Sequence, residues 1–196
     1  MRAHLNHGIN VSDGGKGSVG SLTPYFEESG HDAILHSYGW VGFLRVRWRN
    51  ETATQAIRPH VHDGDVLVGH SNGCLIAWEL IEAGVKPSAV ICIQPALRRD
   101  TLWPDDIPVL CLYNQADWAV SLGRMWGRFA SVANPFRDIH GWGAAGRHGF
   151  TRGQANVTNW DTDIEEFPAR GHSGVFRRPA LFYWAPNIVG WARSHA

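Results

Sequence analysis

Three side chains scattered along this chain could together carry out acyl transfer: a serine, a histidine and an aspartate. The serine is Ser71, in Asp65-Val-Leu-Val-Gly-His-Ser-Asn-Gly-Cys-Leu-Ile-Ala-Trp-Glu-Leu80. An aliphatic run ends in Gly69-His70-Ser71-Asn72-Gly73 and a helical pattern begins at once. That strand–turn–helix context is where G-x-S-x-G carries a nucleophile. A hydroxyl that must reach a carbonyl carbon has to stand out from a sharp turn. Gly69 and Gly73 bring no Cβ, so strand, turn and helix can close around a strained serine backbone. A helix N-terminus behind Ser71 also aims N–H groups and the positive dipole end at a developing oxyanion.

The acid candidate is Asp117, in Ala116-Asp-Trp-Ala-Val120, directly after the apolar run that ends at Tyr113. A position just past a strand, at the carboxyl edge of a parallel sheet, is where ligand chemistry collects. Asp138, Asp161 and Asp163 are substitutes. The candidate bases are His140, His148 and His172, the last in Gly171-His-Ser-Gly174. Other motifs read as scaffold. The Gly-rich stretch Asp13–Gly20 lacks the Gly-Lys-Ser/Thr of a phosphate cradle because Gly17 follows Lys16, and it reads as a loop before a helix. His60-Val-His62-Asp63 has an acid in the wrong place for paired-histidine metal hydrolysis and reads as surface. Cys74, Cys92 and Cys111 lie inside apolar patterns without metal-ligand spacing.

The elements that must position these residues follow from hydrophobic patterning. Short apolar runs at 2–6, 31–36, 65–70, 88–93 and 108–113 read as strands, with 136–140 as the last one. Helical patterns fall at 21–29, from Asn50 as cap to about His60, at 72–83, at 121–132 and at 179–194, the last interrupted at Pro186. Residues 37–49 read as an aromatic loop with Arg45, Arg47 and Arg49 interleaved. Continuous apolar strands alternating with helices imply a parallel sheet covered on both faces. Residues 1–196 read as a single domain, with the Gly-rich stretch 141–163 as an insertion near the site.

The totals narrow the function. Eighteen basic residues balance eighteen acidic ones, so no net field favours nucleic acid or an anionic membrane. No apolar run is long enough to span a bilayer, and the first residues lack a signal-peptide core. Three cysteines, an odd number, fit a reducing compartment, so a cytoplasmic location is expected. Ten tryptophans in 196 residues imply apolar anchors, one or two of which could line a pocket.

Four segments occur in an order that resembles the α/β-hydrolase superfamily. They are His7-Gly8 after the first strand, Gly69-His-Ser-Asn-Gly73, Ala116-Asp-Trp-Ala-Val120, and Gly171-His-Ser-Gly174. The resemblance implies Ser71 as nucleophile, Asp117 as the acid that orients the imidazole, and His172 as general base. It implies the backbone N–H groups of Asn72 and Ile9 as oxyanion hole, with His7, His70 and Trp118 lining the substrate side. The 55 residues from Asp117 to His172 are more than the family usually has, which keeps His140 and His148 as rivals. The fold implied is a three-layer α/β sandwich with a mostly parallel sheet. It is a minimal α/β-hydrolase fold without the N-terminal hairpin or a cap domain, with strand order β4-β3-β5-β6-β7-β8 in family terms. The expected activity is cofactor-free hydrolysis of a small carboxylic ester through an acyl-enzyme, without a metal. A thioesterase, a peptidase or a non-catalytic binding protein on the same fold are the alternatives.

Overall fold

A computed structural model of the chain describes residues 1–9, 11–39, 46–119, 143–151, 153–163 and 166–195. Among the described residues six strands form one sheet: β1 Arg2–Asn6, β2 Asp32–His36, β3 Val66–His70, β4 Ala89–Ile93, β5 Val109–Tyr113 and β6 Val157–Asp161. Their order is β2-β1-β3-β4-β5-β6 and every pair is parallel. Mapped onto the family numbering, this is the order expected from the sequence. β3 and β4 are buried at every residue, which is why they read as unbroken apolar runs rather than alternating ones.

Side chains alternate across the strands into two layers of core. On one face Leu5, Val68, Ile91, Ile93 and Leu112 pack with Phe26 of helix α1 (Thr23–Glu28) and Trp184 and Ile188 of the C-terminal helix. On the other face Leu67, Val90, Cys92 and Cys111 meet helices α2 (Val46–Ile57) and α3 (Gly73–Glu82) and the single turn α4 (Ala145–His148). The C-terminal helix, α5, runs from Ala180 to His195. All three cysteines are buried and free. Among the described residues no helix is long and apolar enough to cross a membrane.

Three sequence expectations are corrected. Helix α2 begins at Val46, so the end of the expected aromatic loop is helical and Asn50 is an interior residue rather than a cap. Asn50 is 1% exposed, and its side chain turns to the neighbouring helix. The stretch 141–163 is not simply an insertion, because it holds α4 and the sixth strand, β6, paired with β5. Val157-Thr-Asn-Trp-Asp161 hides its strand character because an edge strand half-covered on both faces has no need of an apolar run. Helix α5 continues through Pro186 without interruption. The expected strand at 136–140 and helix at 121–132 lie outside the described residues.

Candidate active site

The sheet places the site. From β1 the chain crosses outward to β2 and then returns to the other side of β1 for β3. The switch point therefore lies between the carboxyl ends of β1 and β3, where a parallel sheet opens a crevice. Those two ends are Asn6-His7-Gly8 and His70-Ser71. Ser71 has φ +56, one of only two non-glycine residues in the left-handed region among those described. The turn is locked by its peptide groups: Ser71 N–H donates to the Ile93 carbonyl at 3.0 Å, and the Ser71 carbonyl accepts from Ala96 at 3.1 Å and Cys74 at 3.2 Å.

The glycines around it are sterically required. A Cβ on Gly69 would lie 2.6 Å from the Cα and N of Cys74, and one on Gly73 would lie 2.1 Å from the carbonyl oxygen of Asn6. Gly8 faces the serine itself, and a Cβ there would come within 3.0 Å of Ser71 Cβ and 3.3 Å of its Oγ. Asn72, at the start of α3, is held by a reciprocal pair of amide hydrogen bonds with Asn50. Asn50 donates at 3.0 Å and Asn72 at 2.7 Å, both side chains buried. A second bond, Thr54 Oγ1 to Glu79 at 2.8 Å, ties the same two helices.

Asp117 and His172 come from the loops that follow β5 and β6, and they meet. His172 Nδ1 lies 2.9 and 3.0 Å from the two carboxylate oxygens of Asp117. An ionised carboxylate only accepts, so Nδ1 carries the proton and Nε2 is left for chemistry. Asp117 is fully buried, while the His172 side chain is 24% exposed. His70 ties this pair to the serine turn. Its Nε2–H donates to the His172 carbonyl at 2.8 Å, and its ring stands edge-on to Phe176. Burial first, then the proximity of His172, pulls the His70 pKa down to about 3, so at neutral pH this donor is uncharged.

The other strand end is built as firmly. His7 Nδ1–H donates to the Gly8 carbonyl at 2.8 Å, its ring stacks on Tyr38 with centroids 4.0 Å apart, and the Tyr38 hydroxyl donates to the His7 carbonyl. Burial lowers the His7 pKa and raises that of Tyr38. The Gly-rich loop folds over His7, where a Cβ on Gly15 would lie 2.7 Å from His7 Cβ. Its N–H groups are no anion cradle: the Asp13 carboxylate accepts from Gly17 at 2.7 Å and Gly15 at 2.9 Å, and those bonds lower its pKa.

The structure thus brings Ser71, Asn72, Asp117, His172, His7, His70 and Ile9 to one end of the sheet. Both His7 and His70 are buried, with their N–H groups committed to backbone carbonyls, which gives them supporting places. Trp118, beside Asp117, is 66% exposed. Of the substitutes, Asp163 pairs with Arg170 at 2.9 Å, Asp161 ends β6, and His148 is an exposed residue ending α4. His140 and Asp138 lie outside the described residues. His60 and His62 are exposed. Sequence reasoning missed Tyr38, Asn50 and Asn114, polar residues whose partners are distant in the chain. The one available signal was an asparagine directly after a strand, at 114.

No protein-family model matches the sequence, and comparison with curated proteins finds no relative. Solved structures do resemble it. A protein from Xanthomonas campestris pv. campestris assigned to the α/β superfamily of hydrolases superposes with a TM-score of 0.55 at 18% identity, over 98% of each chain. The monoacylglycerol lipase of Paleococcus ferrophilus gives 0.53 at 14% identity, over 99% of this chain and 94% of its own. An esterase of Pyrococcus furiosus gives 0.59 at 10% identity, over 100% and 83%. With its all-parallel sheet, its strand order and its sharp glycine-flanked serine turn, this chain is an α/β-hydrolase-fold protein.

Proposed function

We propose that the protein is a serine hydrolase that cleaves carboxylic esters through an acyl-enzyme. The observation that carries this reading is the Asp117–His172 pair, delivered by two separate loops to the sheet end where Ser71 stands in a strained turn. Ser71 Oγ attacks the ester carbonyl while His172 Nε2 takes its proton. Asp117, bonded at Nδ1, fixes the tautomer and stabilises the imidazolium. The oxyanion accepts from the N–H of Asn72, at the start of α3, and of Ile9, beside the Gly8 that abuts the serine. His172 returns the proton to the departing alcohol, then deprotonates the water that releases the acid.

Two similar structures named as a lipase and an esterase support an ester rather than a peptide substrate. The exposed Trp118, adjacent to the buried acid, offers an apolar face to the alcohol or acyl group. Hydrolysis of p-nitrophenyl butyrate by the purified protein tests the reading. Turnover that vanishes in Ser71→Ala and falls about 10⁴-fold in Asp117→Asn is expected. Turnover that survives Ser71→Ala overturns it.

A further inference from the structure

We propose that Asn114 is a positioning residue that sets the aim of His172, an inference that rests on the proposed triad. Asn114 is the first residue after β5 and is fully buried. Its Nδ2 donates to the carbonyls of Ala169 and Gly171, each at 3.2 Å, and its Oδ1 accepts from the Gly171 N–H at 3.2 Å. One carboxamide therefore answers both peptide groups of the residue that precedes His172.

The need for this is local. Gly171 has φ +80, so the chain turns there in a left-handed conformation and cannot continue a sheet ladder. The Asn114 side chain takes the place of the missing neighbouring strand. Its backbone is equally tied, because its N–H donates to Gly146 at 3.1 Å and its carbonyl accepts from the Asp117 N–H at 3.1 Å. The same residue thus fixes the loop of the acid and the loop of the base. Thr162 Oγ1 adds a bond to the Ala169 carbonyl at 3.2 Å, and His70 holds the carbonyl on the far side of His172 at 2.8 Å. His172 is pinned on both flanks of its backbone, so its imidazole meets Asp117 with little freedom. The surrounding ion pair, Arg170 with Asp163, involves an exposed guanidinium and contributes little to that aim.

Asn114→Ala removes all three side-chain bonds. Asn114→Asp keeps the shape and the acceptor but turns a carboxylate oxygen toward two carbonyl oxygens. A displacement of about 1 Å in a reacting group lowers turnover by about 10²-fold. Both variants are therefore expected to lose about that factor in kcat and in the rate at which a fluorophosphonate labels Ser71, with KM changed less than about threefold. The low-field proton resonance of His172 Nδ1–H, which is read without any substrate, is expected to broaden or vanish in both. A variant that melts earlier but labels at the wild-type rate and keeps the resonance overturns the proposal and leaves Asn114 a structural residue. If Asn114→Ala does not fold, Asn114→Asp decides between the same two outcomes. Failure of the wild type itself to label, with the resonance still present and still dependent on Asn114, overturns the hydrolase reading and leaves the clamp in place.

Discussion

Gly73→Ala concentrates the packing argument into one methyl group. The added Cβ would lie 2.1 Å from the Asn6 carbonyl oxygen, 2.6 Å from its carbon and 2.8 Å from the His7 oxygen. These atoms are main chain in β1 and just beyond it, so no side-chain rotation relieves the contact. Helix α3 and β1 must part by about 1 Å to restore an ordinary van der Waals distance. Overpacking of this kind costs about 1–3 kcal/mol, and rigid backbone on the opposing side places it at the upper end. For a domain of this size that corresponds to a fall in melting temperature of about 6–12 °C. Because the displaced helix begins directly after its cap Asn72 and two residues after Ser71, ester turnover should fall about 10²-fold. Gly190→Ala is the matched control, an exposed position in α5 with nothing within 4 Å of the new Cβ. Better helix propensity should raise stability there by about 0.5–1 kcal/mol with turnover unchanged. Thermal melts and p-nitrophenyl butyrate kinetics on both variants give the answer. A Gly73→Ala protein that melts and turns over like wild type refutes the close approach of α3 to β1.

Two further outcomes follow from the buried polar groups. Burial, then His4 and His60, lowers the His36 pKa from 6.5 to about 4, and burial likewise lowers His4 although Asp65 hydrogen-bonds to it at 3.0 Å. With the folded pKa below the unfolded one, the unfolded chain binds the proton first, so stability is complete above pH 6.5 and falls as pH drops toward 4. For His36 that is at most about 3.5 kcal/mol, at about 1.4 kcal/mol per pH unit; urea midpoints that stay flat between pH 6.5 and 4.5 contradict it. Asn50→Ala deletes both amide bonds to Asn72 and should cost about 1–3 kcal/mol in urea unfolding, with lower kcat at similar KM. Equal kcat in that variant separates Asn72 from the oxyanion site.

The central fold was legible because its strands are buried on both faces. Val66–His70 and Ala89–Ile93 announce themselves as apolar runs, and the glycine pair around Ser71 marks the turn. The edge was not legible, because β6 carries Thr158, Asn159 and Asp161 in a half-buried strand and so resembles a polar loop. The start of α2 was hidden for a related reason, since Asn50 looks like a cap while it serves a buried pair across to α3. His172 was readable as one of three histidines. Its contact with Asp117 spans 55 residues, a distance in sequence over which local patterning carries no information.

Covalent labelling reads out the nucleophile itself. The purified protein is treated with a fluorophosphonate and the modified peptide is identified by mass spectrometry. A single adduct on Ser71 is expected, lost in Ser71→Ala and formed far more slowly in His172→Ala. A folded wild-type protein that stays unmodified, or an adduct that forms as fast without His172 as with it, contradicts the triad.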